Sequence, residues 1–296
     1  MKFIVPFCFT LMLLVLGCDK DKQEARETPP EVLPSQSAIR NPQSAIVSGH
    51  LARITESKVL RIGIKADAPP FCFVDKDGNP NGFDVELGHR LARGLGVQPV
   101  FVTVTSAERI EKLKKGEIDV IIATMTATRK RAKEVDFSLP YFQDHQSLLV
   151  KADSPIQSYR DLAGKKVAAQ EGTTSIENLK TVAPDAAVVK VRSIADGFAK
   201  LNEGEAEALT GDGLQLQALR TNAADPNQYR IAGEGFSVES YVIGLPQNDS
   251  EFRARIDDIL TEIWTSGVWT RIFNKWLGPE SKYNLEPQFQ MPVLPP

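Results

Sequence analysis

Apolar residues recur along this chain with two alternating periods. Val59-Leu60-Arg61-Ile62-Gly63-Ile64 reads as a strand, Pro69-Pro70 as a turn, and Asp75-Lys76-Asp77-Gly78 as the tip of a hairpin. Gly82-Phe83-Asp84 then opens a stretch where Val85, Leu87 and Leu91 fall at helical spacing, with Gly94 as the expected stop. A strand at Val100-Phe101-Val102-Thr103-Val104, a helix near Arg109 with Ile110 and Leu113 inward, and a buried-type strand Val120-Ile121-Ile122-Ala123 follow. After Tyr141 the alternation restarts with Lys166-Val167-Ala168-Ala169, a helix from Thr174, and Ala187-Val188-Val189. A helix from Ile194 to Leu201 and a strand Glu207-Ala208-Leu209-Thr210 complete it. Helices around Phe252 to Trp264 and Val268 to Leu277 close the periodic region. Such alternation predicts an α/β protein with doubly wound, mostly parallel sheets. About 220 patterned residues suit two lobes of roughly 100 better than one.

Outside that region the pattern fades. From residue 18 to about residue 57 the chain is polar and rich in Pro, Gln, Ser and Glu, with Gln-Ser-Ala-Ile appearing twice, and reads as a tether. A coil of roughly 40 residues has a root-mean-square reach of about 35 Å. Residues 281–296 read as a Pro-rich tail without clear structure. At the start, Lys2 precedes an apolar stretch from Phe3 to Leu16, shorter than the roughly 20 residues of a membrane span, so residues 1–17 read as an export leader. Leu14-Val15-Leu16-Gly17-Cys18 resembles the lipobox of bacterial lipoproteins, which implies a mature chain beginning at a lipidated Cys18. Asp19 behind it implies retention on the inner membrane, facing the periplasm.

Composition narrows the function classes. Cys8 leaves with the leader and Cys18 would be acylated, so Cys72 has no partner for an internal disulfide, and stability must come from core burial. The formal charge of −3 becomes −4 once Lys2 is removed, which gives no general attraction to nucleic acid. His50, His89 and His145 show no ligand spacing with Cys or carboxylates, so no metal or cofactor is expected. Phosphate-loop, dinucleotide and nucleophile-elbow patterns are absent, and Cys72 has no sequence-evident His partner. Asp84 and Asp119, near helix starts or strand ends, read as caps rather than acids.

Two cations stand out against these patterns. Arg109 follows Thr105-Ser106-Ala107-Glu108, a capping-box spacing, so it falls in the first turn of a helix, where the backbone already carries partial positive charge. Arg131 repeats the situation beyond Thr126-Ala127-Thr128. A cation beside free N–H groups is disfavoured for folding but suits a carboxylate clamp. Lys65 ends the first strand, at the mouth of the crevice where open α/β sheets bind ligands. Thr173 and Thr174 follow Gly172, and a Thr174 to Glu177 capping spacing marks another helix start.

Read in order, seven segments resemble the family 3 solute-binding proteins of ABC transporters, the polar amino acid binders. They are Ala68-Pro69-Pro70-Phe71-Cys72-Phe73, Gly82-Phe83-Asp84-Val85, Leu113-Lys114-Lys115-Gly116-Glu117-Ile118-Asp119, Thr126-Ala127-Thr128-Arg129-Lys130-Arg131, Asp136-Phe137-Ser138-Leu139-Pro140-Tyr141, Gly172-Thr173-Thr174 and Lys275-Trp276-Leu277-Gly278. The resemblance implies a two-lobed, type II periplasmic-binding-protein-like fold. Lobe 1 would hold residues 58–142 plus 240–280 and lobe 2 residues 143–239, joined by two hinge strands. It further implies a monomer without catalysis that delivers an amino acid to a membrane permease and its ATPase.

On that pattern Arg131 matches the arginine that binds the ligand carboxylate, helped by Thr126 and Thr124 and, from the opposite lobe, by Thr173 and Thr174. Asp212 matches the aspartate that holds the ammonium. Lys65 and Arg109 resemble the side-chain carboxylate contacts of aspartate/glutamate-binding members. Three cations against Asp212 would give the cleft a formal surplus of two positive charges, so a neutral ligand would leave buried cations unpaired at about 3–5 kcal/mol. Glutamate or aspartate is therefore the expected ligand. The aromatic ring that many relatives place at Ala68 is absent, and Phe71, Phe73 and Tyr141 read as core or cleft wall. Cyclohexadienyl dehydratases use the same fold, with Glu171 or Glu177 as candidate acids, and a ligand-sensing lipoprotein is a further alternative.

Overall fold

The computed structural model describes residues 49–292. The leader, Cys18, most of the expected tether and the last four residues lie outside that range.

Two five-stranded sheets organise the chain. The first runs in the order Gln98–Thr103, Val59–Ile64, Val120–Ile121, Glu239–Leu245, Asp136–Asp144. Leu60, Ile62 and Ile64 are buried in its core, and Ile62 lies level with Phe101 on one side and Val120 on the other. The second runs Ala187–Val191, Lys166–Gln170, Ala208–Asp212, Gln146–Lys151, Tyr229–Ile231. Helices Ser175–Val182, Ile194–Glu203 and Gly213–Asn222 belong to this second lobe.

The sheets are mixed rather than mostly parallel, since two of the four pairings in each are antiparallel. The reason is the crossing. Asp136–Asp144 and Glu239–Leu245 run in opposite directions and pair with each other, with Glu239 opposite Asp144 and Tyr241 opposite Phe142. A chain that leaves a lobe along one strand and returns along its neighbour needs no crossover helix.

Helix Phe83–Leu95 starts after Gly82, where φ is 125° and any Cβ would collide with the Phe71 carbonyl oxygen, so only glycine fits. It ends not at Gly94 but at Gly96, in the left-handed region at φ 70°. Gly94 lies inside the helix because Ile259 packs where its side chain would be.

The expected tether stops short of Ser57, because His50–Ser57 is a helix. Ile54 is buried in the first core, and the His50 backbone N–H and ring Nδ1 both reach Asp249 Oδ2 at 2.9 Å, at the start of helix Ser250–Thr265. One buried Ile among polar neighbours is too little apolar periodicity to reveal a helix. The tail differs in a similar way. Residues 281–292 form no helix or strand, yet Phe289 packs against Phe142, Trp264 and Trp269, and Met291 is buried. Cys72 is a free, fully buried thiol, and burial pushes its pKa far up.

Candidate functional site

Lys65, Arg109, Thr124, Thr126, Arg131, Thr173, Thr174 and Asp212 all line one cavity between the lobes, together with Ser106, Gln170, Ser175 and Gln215. Most owe their place to an element end. Lys65 follows strand Val59–Ile64, and Arg109 opens the short helix Arg109–Lys114. The reciprocal Thr105 and Glu108 capping bonds form there at 3.2 Å each. Arg131 begins a three-residue 3-10 turn rather than an α-helix, its N–H held by Thr128 Oγ1 at 3.1 Å. Thr124 adopts φ 45°, and its N–H is held by Asp84 at 3.1 Å. Asp212 ends strand Ala208–Asp212 and stands at the N-cap position of helix Gly213–Asn222, with its side chain turned away from the helix N–H groups.

The two arginines are buried without a direct counter-ion. Among the described residues no carboxylate oxygen lies within 4 Å of either guanidinium. Arg131 spends its fork on carbonyls, Nη1 on Thr126 at 2.7 Å and Nη2 on Gly172 of the other lobe at 3.0 Å. Gly172 makes that approach possible: at φ 74° a Cβ would sit 2.5 Å from the Ala107 backbone of lobe 1. Arg109 donates Nη1 to the Ala123 carbonyl at 2.5 Å, and its buried Nε has no partner. Burial, then the nearby Arg131, lowers Arg109 to about 9, so it remains a cation at neutral pH.

Lys65, Arg109 and Arg131 against Asp212 give the cavity wall the expected surplus of two positive charges, but further acids stand behind that wall. Lys65 Nζ is 3.7 Å from Asp67 and 3.4 Å from Gln170 Oε1, and Glu239 lies near enough to Arg131 to oppose the lowering of its pKa by burial. Asp84 is no helix cap. It accepts from Tyr141 Oη at 3.0 Å and Thr124 N–H, and burial raises it to about 6. Asp119 pairs with Arg61 and Arg53 and is not a cap either. Asp67 and Glu239 lie outside the segments that carry the resemblance, whereas Asp84 and Asp119 lie within them and read there as caps.

The threonines also behave differently from expectation. Thr126 Oγ1 and Thr174 Oγ1 donate to Glu239, Thr173 Oγ1 to the Gln170 carbonyl, and Thr124 Oγ1 lies 3.4 Å from the Gln215 amide. The Thr174 to Glu177 capping box does not form, because Glu177 turns outward to Lys130 and Thr173 Oγ1 serves the Ser175 N–H instead. Among the described residues the N–H groups of Thr173 and Thr174 have no partner. Neither Glu171 nor Glu177 lines the cavity, and both are exposed. Phe71 and Tyr141 are buried in the core, Phe73 packs on Trp276, and no aromatic ring lines the cavity.

Asp212 accepts from Tyr241 Oη at 2.6 Å, from Gln215 Nε2 at 3.2 Å and from Gln146 Nε2. The same Tyr241 hydroxyl lies 3.2 Å from Asp144, so one phenolic proton serves two carboxylates. Burial and mutual repulsion raise both acids, Asp144 to about 7. Glu239, opposite Asp144, adds to the repulsion, while Lys65 and Arg109 oppose it.

The folded pair thus keeps a proton that the unfolded chain has already released. Its contribution to stability is present in mild acid and is lost as pH rises toward neutrality. The melting temperature of ligand-free protein is expected to fall between about pH 4 and about pH 7, and less steeply in Asp144→Asn. Parallel profiles for the two proteins would show that the proton resides elsewhere.

Sequence reasoning missed Glu239, Gln146 and Gln170. A Glu at the start of an apolar strand is unremarkable in a sequence, and only the crossing brings Glu239 against both lobes. Gln170 had a usable signal, since it ends a parallel strand just as Lys65 does.

A family model for bacterial extracellular solute-binding proteins, family 3, matches residues 60–279. A glutamine-binding protein of Geobacillus stearothermophilus is 38% identical over 263 residues, covering 85% of this chain and 96% of that protein. The glutamate/aspartate import solute-binding protein of Salmonella typhimurium is 27% identical over 253 residues, covering 81% and 84%. The crystal structure of an ancestral amino acid-binding protein, a precursor of cyclohexadienyl dehydratase, superposes with a TM-score of 0.71 at 32% identity, covering 78% and 100%. With that span of matched residues and a cleft of buried, oppositely charged groups between two lobes, the chain belongs to family 3 of the bacterial extracellular solute-binding proteins.

Proposed function

We propose that this protein is the substrate-binding lipoprotein of an amino acid ABC importer and that it captures glutamate or aspartate by closure of its lobes. The α-carboxylate lies against Arg131 and the free N–H groups of Thr173 and Thr174, whose hydroxyls are otherwise engaged. The ammonium meets Asp212. The side-chain carboxylate lies between Arg109 and Lys65. Contacts that need both lobes are the ones that favour the closed form. Cys18 carries the lipid that holds the protein at the extracytoplasmic face of the inner membrane, beside its permease. No helix among the described residues is long and apolar enough to cross a membrane.

One observation carries the acidic reading. Arg109 is 2% exposed, makes one hydrogen bond and has no carboxylate beside it. A buried guanidinium with donors to spare is stabilised by an anion that brings its own hydrogen-bond acceptors.

Glutamine is the second reading. The Asp67 carboxylate beside Lys65 supplies a counter-charge from within the protein, and the Geobacillus relative is a glutamine-binding protein. Calorimetry of the refolded, ligand-stripped soluble domain against the common amino acids separates the two. Glutamate or aspartate is expected to bind at least tenfold more tightly than glutamine, and the reverse order would replace the acidic reading with the second. Turnover of arogenate or prephenate would instead place the protein with the dehydratases.

A further inference from the structure

We propose that Glu239 is a positioning residue that sets the hydrogen-bonding direction of the cleft: it takes the hydroxyl protons of Thr126 and Thr174 and leaves both oxygens able only to accept from the ligand's ammonium. The inference rests on the reading of the cavity as an amino acid site.

Glu239 begins hinge strand Glu239–Leu245 and is 1% exposed. Its Oε2 receives Thr126 Oγ1 at 2.6 Å and Thr174 Oγ1 at 2.8 Å. Its Oε1 receives Asn178 Nδ2 at 2.6 Å and Ser237 Oγ at 2.7 Å. An ionised carboxylate only accepts, so at these distances each hydroxyl must be the donor. Four donors fill its lone-pair sites, and Glu239 itself has nothing left to offer a ligand.

A hydroxyl that has given away its one proton retains lone pairs and nothing else. Thr126 Oγ1 and Thr174 Oγ1, both on the cavity wall, therefore repel a carboxylate and suit an ammonium. Thr126 completes the argument, because its carbonyl holds the Arg131 guanidinium while its hydroxyl faces Glu239. One residue thus serves the carboxylate side with its backbone and the ammonium side with its side chain, as neighbouring groups on one α-carbon require. The Oε2 atom gathers one hydroxyl from each lobe, so the pair of acceptors exists only where the lobes meet.

The test compares an amino acid with the 2-hydroxy acid of the same skeleton, in which a hydroxyl replaces the ammonium. Wild type is titrated calorimetrically with the common L-amino acids, aspartate, glutamate and glutamine among them; silence towards all of them overturns the amino acid reading itself. Glu239→Gln and Thr126→Val are then titrated with the amino acid bound and its hydroxy counterpart. In Glu239→Gln the amide donates in place of one acceptor and frees a threonine hydroxyl to point at the ligand. The preference for the amino acid over the hydroxy acid is expected to fall about tenfold or more in each variant. An equal loss for both ligands in Glu239→Gln, or an unchanged preference in both variants, overturns the role given to Glu239. Should Glu239→Gln fail to fold, Thr126→Val decides alone, since it removes the acceptor and leaves the charges in place.

Discussion

Replacing Asp212 with alanine is expected to weaken amino acid binding by a factor of a hundred or more while leaving the fold intact. The ligand's ammonium would then enter a buried site without its counter-ion, and removing one partner of a buried ion pair costs about 3–5 kcal/mol. Folding has no comparable stake in this side chain. Burial raises the Asp212 pKa and Glu239 adds to that rise, so the carboxylate is under electrostatic pressure in the ligand-free protein. Of the donors it leaves, the Tyr241 hydroxyl has Asp144 and Gln215 has Thr124 Oγ1 within reach, and Gln146 alone loses its acceptor. Calorimetry combined with a thermal melt checks both halves of the expectation. Undiminished affinity would take Asp212 out of the ligand site, and a collapsed melt would make it a structural residue.

For Arg109→Met the expected result is a change of selectivity. Methionine fills similar apolar volume but offers no donors, so a ligand carboxylate at that end loses its cation. Affinity for glutamate and aspartate should fall about a hundredfold, the scale set by a buried charge left unpaired. Glutamine and asparagine should lose much less, because an amide has no net charge to neutralise. The variant also leaves the Ala123 carbonyl without its donor, a cost shared by all ligands that does not alter their ratio. A matched fall across acids and amides would place Arg109 outside the side-chain subsite.

How far the sequence reached can be seen residue by residue. The two-lobed α/β architecture was legible because strand and helix periods alternate over long stretches, and because Gly82, Gly172 and the Thr105 to Glu108 box sit where backbone geometry demands them. The eight candidate residues converge on one cavity because most of them stand at or just beyond the end of an element, and in wound sheets those ends meet in the crevice. Charge balance was not legible. Asp84, Asp144 and Glu239 come from three separate segments that only the fold gathers round the cleft, whereas Asp67 stands two residues from Lys65 and could have been counted. Hydroxyl direction was equally hidden, since a threonine in a sequence is both donor and acceptor until a neighbour settles which. Helix His50–Ser57 and the packed tail were missed for a different reason. Each attaches through one or two apolar residues, and that leaves no period to detect.

Cys72 has a practical consequence. Enclosed between Phe71 and Phe73 on a strand of the first lobe, with its sulfur held in the protonated form, it is shielded from thiol-directed dyes. A soluble fragment covering residues 49–292 contains no other cysteine. New cysteines placed on the outer faces of the two lobes would then take fluorophores selectively, without first mutating the native one. The protein is in this sense already suited to optical reporting of how far its halves travel, and the same labelled molecule would read out each of the variants above in real time.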